Sequence, residues 1–165
     1  MNKTPKELTG NFFRMIDDEW MLVTAKKPDG TFNMLTASWG GVGVLWNKPV
    51  SFIFIRESRY TVQFLDAAES YTLSFFEEDM RGALTELGSK SGRDIDKMNY
   101  PGLTPAEKDG AVMFKEAKLT LVCKKLYRNL LSEESILCPD VMKEAYANGD
   151  LHIAYIGEIT ECFEK

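Results

Sequence analysis

From Asn33 to Thr61 the chain reads NMLTASWGGVGVLWNKPVSFIFIRESRYT, and no other stretch restricts the fold as tightly. A turn of small and hydroxyl-bearing residues, Thr36-Ala37-Ser38-Trp39-Gly40, is followed by Gly41 and Gly43. An apolar run from Val50 to Ile55 then ends in a polar, cationic tip, Arg56-Glu57-Ser58-Arg59-Tyr60-Thr61. The apolar run has the residue types of a strand, and glycine lets a backbone come close to a flat neighbour. A small-residue turn and a charged tip are therefore tied together by one strand.

The rest of the chain has the same short, interrupted character. Residues 1 to 19 read as an N-terminal arm anchored by Phe12-Phe13. Trp20 to Ala25 and Thr31 to Ser38 form two strands of a hairpin about Pro28-Asp29-Gly30. Gly40 to Gly43 reads as a loop, and Asn47-Lys48-Pro49 as the turn into the strand Val50 to Ile55. Tyr60 to Ala68 has the apolar spacing of a short helix with Thr61 as its N-cap. Tyr71 to Phe75 is a strand, and Glu78 to Leu87 a helix ending at Gly88. Pro101, Pro105 and Gly110 break the chain into irregular connections. Ala117 to Tyr127 and Leu151 to Thr160 read as strands, with a helix at Pro139 to Asn148 between them. Strands and helices do not alternate regularly, which disfavours a doubly wound sheet and points to a β-barrel with helical additions.

At 165 residues the chain is read as one domain, long enough to bury about 70% of its unfolded surface. Apolar residues make up 44% and the net charge is −5. That charge, with its basic residues scattered, excludes a nucleic-acid backbone as main partner. No stretch reaches the ~20 apolar residues of a membrane helix, and no apolar run follows the first residues, so a cytoplasmic location is expected. Cys123, Cys138 and Cys162 lie far apart without a CxxC pair. They read as small buried hydrophobes in a reducing compartment, with neither a disulfide scaffold nor a metal site expected.

Three constellations carry chemistry. Thr36 and Ser38 lie on one side of an extended chain, and their hydroxyls and neighbouring N–H groups suit the carbonyls and ring nitrogens of a heteroaromatic ligand. An ordinary strand end turning at glycine, with the hydroxyls satisfying local backbone, is the alternative. Arg56 and Arg59, flanked by Ser58, Tyr60 and Thr61, suit a phosphate through charge-assisted bonds, and a solvated tip is the alternative. Ser89-Lys90-Ser91-Gly92-Arg93-Asp94 reads as a second anion clamp or as a plain polar loop, and it lacks the spacing of a P-loop. His152, the single histidine, is a candidate ligand donor or proton carrier, with a structural role as the alternative. No G-x-S-x-G elbow supports Ser/His/Asp hydrolysis. A planar, phosphorylated cofactor accommodates all three constellations, flavin mononucleotide (FMN) first.

These residues resemble the FMN-binding split-barrel proteins of the flavin reductase-like family, most closely the flavoredoxin-type branch. The T-A-S-W-G turn, the L-W-x-K-P run and the R-x-S-R-Y-T tip carry the likeness. Ser91-Gly92-Arg93-Asp94 with Lys97 is similar to the branch's loop after its central helix. Gly149-Asp150-Leu151-His152 with Ile156-Gly157-Glu158-Ile159 resembles its Gly-Asp-His and closing Gly-Glu strand, except that Leu151 is inserted before the histidine.

The resemblance implies a mainly β, six-stranded Greek-key split barrel, homodimeric, with FMN near the subunit interface. Thr36, Ala37, Ser38 and Trp39 would line the isoalloxazine, and Arg56, Ser58, Arg59, Tyr60 and Thr61 the ribityl-phosphate end. Ser91, Arg93 and Lys97 would be further contacts, and His152 would face the nicotinamide. The implied activity is an NAD(P)H:flavin oxidoreductase passing electrons through FMN to free flavin, oxygen or a protein acceptor. A flavin-storing or flavin-sensing barrel and an oxidase for vitamin B6 phosphates are the alternatives.

Overall fold

The computed structural model describes residues 2–165. Its strands are β1 (Asn2–Lys3), β2 (Met21–Lys26), β3 (Phe32–Ala37), β4 (Gly40–Leu45), β5 (Lys48–Arg56), β6 (Ser70–Phe75), β7 (Pro105–Lys108), β8 (Ala111–Phe114), β9 (Leu119–Leu130) and β10 (His152–Glu164). The α-helices are α1 (Phe12–Asp17), α2 (Val62–Ala67), α3 (Arg81–Ser89) and α4 (Pro139–Ala145).

One antiparallel sheet runs β3-β2-β6-β9-β10-β5-β4, with β1 added against β10. Its two edge strands, β3 and β4, are consecutive in the chain and separated only by Ser38 and Trp39. A sheet whose opposite edges are joined by two residues has to curl until those edges meet. It closes at that end and stays open elsewhere, a split barrel. The mainly β barrel expected from the sequence is thus present, with two more strands in its sheet than the six the resemblance implies.

The strands not expected from the sequence have local causes. Gly40 to Gly43, expected as a loop, is the edge strand β4. Its glycines pass over Phe52, and a Cβ at Gly40 would meet the Phe52 carbonyl oxygen at 2.3 Å. The turn into β5 falls at Trp46-Asn47, both with positive φ (51° and 58°), rather than at Asn47-Lys48-Pro49. Pro105 opens β7, which pairs with β8, consistent with proline being tolerated at the start of an edge strand.

Side-chain alternation divides β2 between two cores. Met21, Val23 and Ala25 face the barrel interior with Ile53, Ile55, Leu73, Leu121, Ile153 and Tyr155, while Leu22 joins Phe32, Met34, Leu84, Leu87 and Phe114 outside it. A strand covered on both faces reads as a continuous apolar run. Inside the barrel, Ser51 Oγ lies 2.8 Å from Tyr71 Oη and donates to Cys123 Sγ. The N-terminal arm is held where Phe12 meets Phe75 edge-on at 6.2 Å, whereas Phe13 is exposed. Cys123 and Cys162 are buried, as expected of small hydrophobes, but Cys138, at the N-cap position of α4, is exposed.

Candidate functional site

Three strand ends converge beside the closure of the barrel. β3 delivers Thr36 to Trp39, β5 delivers Arg56, and β10 begins with His152 directly opposite Arg56 in register. Two adjoining chambers open here. The smaller, about 160 Å³, is lined by Thr36, Ala37, Ser38, Trp39, Phe54 and His152. The larger, about 350 Å³, is lined by Ser58, Tyr60, Thr61, the loop 89–94, Lys97 and Asp150. Leu35, Arg56 and Arg59 line both, so the two form one elongated cleft. It has a flat aromatic end and a cationic end.

At the flat end, the Thr36 hydroxyl donates to the Leu84 carbonyl and braces β3 against α3. It is therefore not free to donate to a ligand. Lys97 takes the Met34 carbonyl, which points away from β2. By ladder alternation, the N–H and C=O of Thr36 point to that same open edge. His152 is only 5% exposed, its ring centroid 4.9 Å from that of Trp39 and its Nδ1 2.9 Å from Tyr146 Oη. Burial, and then the nearby Arg56 guanidinium, bring its pKa down to about 4. Its imidazole is neutral at physiological pH, which favours a hydrogen-bonding role over proton delivery.

The cationic end distributes its charges unequally. Arg56 Nη1 donates to the carbonyls of Ala145 (3.1 Å) and Asp150 (2.8 Å), so much of this side chain holds the segment after α4. Arg59 is half-buried, and among the described residues no hydrogen bond or ion pair holds its guanidinium. The N–H groups of Tyr60 and Thr61 carry no backbone hydrogen bond either. Lys97, 4% exposed, donates to the Met34 and Leu87 carbonyls at 2.9 and 2.8 Å. Burial, and then Arg59, lower its pKa to about 8. Arg93 lies over the Tyr60 ring at 4.5 Å. A half-buried guanidinium without a partner, among further cations and free N–H groups, is an anion site by its chemistry.

Two expected contacts are occupied differently. Ser58 borders the cleft, but its N–H and its hydroxyl both go to the Asp150 carboxylate. Thr61 stands at the N-cap position of α2 with helical φ and ψ, and makes no capping bond. Its hydroxyl instead accepts from Asn33 Nδ2 at 2.9 Å. Ser91 Oγ accepts the Arg93 N–H, which shapes the loop. Gly92 in that loop packs so closely that a Cβ would lie 2.3 Å from Asn33 Oδ1.

Asn33, Asp150 and Tyr146 were not among the residues expected here. Asp150 had a signal in the Gly149-Asp150 turn. Asn33 had a weaker one, as a polar residue inside an apolar strand. Tyr146 had none, because its role depends on where α4 folds.

A family model described as "Flavin reductase like domain" matches residues 13–165. The chain belongs to the flavin reductase-like family. Solved structures of similar fold include a flavoredoxin from Methanosarcina acetivorans, 22% identical with a TM-score of 0.67, the match covering 89% of this chain and 68% of that one. An FMN-binding protein from Thermus thermophilus is 20% identical with a TM-score of 0.71, covering 99% and 80%. An NADH:FAD oxidoreductase from Streptomyces globisporus is 18% identical with a TM-score of 0.64, covering 89% and 74%. Comparison with curated proteins gives no match. Among the described residues no helix is long and apolar enough to cross a membrane, and no cluster suits a metal ion.

Proposed function

We propose that this flavin reductase-like protein is an FMN-dependent oxidoreductase that takes electrons from NAD(P)H and passes them to free flavin, oxygen or a protein acceptor. The observation that carries this reading is the two-ended cleft: a flat chamber at Thr36–Trp39 and His152, continuous with a chamber holding an unpartnered Arg59 guanidinium. FMN has the matching shape and charge, a planar heteroaromatic ring joined through a polyol to a terminal phosphate.

Thr36, Ala37, Ser38 and Trp39 would hold the ring. Arg59, the N–H groups of Tyr60 and Thr61, and the Arg93 and Lys97 cations would hold the phosphate, with Arg56 and Ser91 shaping that end. Bound FMN supplies the redox chemistry, so the chain needs to bind, orient and shield it and requires no acid–base pair of its own. The exposed Trp39, Phe13, Val44 and Trp46 support a homodimer formed next to the cleft.

The test is the visible spectrum of the purified protein before and after addition of FMN. Flavin bands that shift and sharpen on a saturable one-site titration support the reading. Bands identical to those of free FMN at every protein concentration would overturn it.

A further inference from the structure

His152 is the sole imidazole of the chain, and what it offers a ligand depends on which ring nitrogen carries the proton. Its Nδ1 lies 2.9 Å from Tyr146 Oη, with the rings edge-on at 5.5 Å and 76°. Both residues are buried, Tyr146 at 7% and His152 at 5% exposure, and the Tyr146 hydroxyl has no other hydrogen-bond partner among the described residues.

A neutral imidazole has one donor and one acceptor nitrogen. If Nδ1 carried the proton, Tyr146 would accept it and leave its own O–H buried without an acceptor, a costly arrangement. If Tyr146 donates to Nδ1, the hydroxyl proton and Nδ1 are both satisfied, and the proton of His152 sits on Nε2, at the wall of the flat chamber. We propose that Tyr146 is a positioning residue that fixes His152 as the Nε2–H tautomer, presenting a permanent N–H donor to the flat chamber.

The support for Tyr146 is itself anchored in the cleft. Arg56 holds the carbonyls on either side of it, Ala145 and Asp150, and its guanidinium lies 5.8 Å from the Tyr146 ring centroid. Arg56 borders both chambers, so the segment after α4 is pinned to the cleft at two points. The partner of Nε2–H is an acceptor on the bound ring system, a carbonyl or an unprotonated ring nitrogen. The identity of that ligand rests on the flavin reading above; the tautomer does not.

The experiment uses the full chain labelled with nitrogen-15 histidine, which yields a single imidazole. A proton–nitrogen correlation spectrum near neutral pH is expected to show a protonated Nε2 and an unprotonated Nδ1. In Tyr146→Phe the Nε2–H population is expected to fall to a mixture of tautomers. A wild-type Nδ1–H signature overturns the proposal even if the variant fails to fold, and so does an unchanged spectrum in a folded variant. With FMN bound, flavin reduction by NAD(P)H in Tyr146→Phe is expected to slow about 3- to 10-fold, the worth of one hydrogen bond, with FMN affinity unchanged. An unchanged rate overturns the positioning role. Failure to bind FMN would instead sink the flavin reading and leave the tautomer result standing.

Discussion

Arg56 and Arg59 are three residues apart on one tip, yet their substitution should have opposite signatures. The Arg59 guanidinium has no hydrogen-bonding or ion-pairing partner among the described residues, so Arg59→Gln removes no contact of that kind from the ligand-free fold, and its stability should stay within about 0.5 kcal/mol of wild type. FMN binding should weaken by about 1.5–3 kcal/mol, the worth of a charge-assisted hydrogen bond, or roughly 10- to 160-fold in dissociation constant. Riboflavin, which lacks the phosphate, should bind the variant and the wild type equally.

Arg56→Gln differs because Nη1 is shared by the half-buried carbonyls of Ala145 and Asp150. Loss of two such bonds should cost the ligand-free protein about 1–3 kcal/mol and weaken both flavins by loosening the segment after α4. The assays are fluorescence titration with each flavin and urea unfolding of the ligand-free protein. Equal losses of FMN and riboflavin in Arg59→Gln would falsify the assignment of Arg59 to the phosphate.

Further outcomes follow from single features. The folded-state pKa of His152, about 4, lies below the ordinary 6.5. Between those values the unfolded chain binds a proton that the folded chain does not. Its contribution is therefore complete above about pH 6.5 and is lost as pH falls toward 4, at most about 3 kcal/mol. Urea unfolding of wild type and His152→Gln across that range should show the wild type losing more, and parallel curves would contradict the burial argument. Gly157→Ala would put a Cβ 2.7 Å from Tyr71 Oη and 2.9 Å from Cys123 Cβ inside the barrel, costing about 1–3 kcal/mol by overpacking. An unchanged melting temperature would show that the strand shifts freely. Light scattering should give a dimer mass that falls to the monomer in Trp39→Glu with Trp46→Glu, whereas a wild-type monomer would refute the proposed interface.

The strands were legible where alternation or apolar runs met a clear turn, as at Pro28-Asp29-Gly30 and Val50 to Ile55. β4 was hidden because Gly40, Gly41 and Gly43 carry loop propensity, and only their passage over Phe52 gives them reason to be extended. β7 was hidden by its proline. The cleft was legible as residue types, cations and hydroxyls beside a strand, but not as a division of labour. Nothing local distinguishes Arg56, tied to carbonyls nearly ninety residues or more away in sequence, from Arg59, whose guanidinium meets no hydrogen-bond partner among the described residues. Ser58 reads as an anion donor, but the Asp150 carboxylate takes it, and Tyr146 acquires a role only through its hydrogen bond to His152 at the start of β10.

The central claim, that the cleft binds FMN and that NAD(P)H reduces it there, is tested most directly by anaerobic mixing of the FMN-loaded protein with NADH and, separately, NADPH. Absorbance is followed at the flavin band. Bleaching by at least one nicotinamide within seconds to minutes, far faster than free FMN under the same conditions, is the predicted result. Bound FMN that stays oxidised with both would contradict the oxidoreductase and leave a flavin-binding protein.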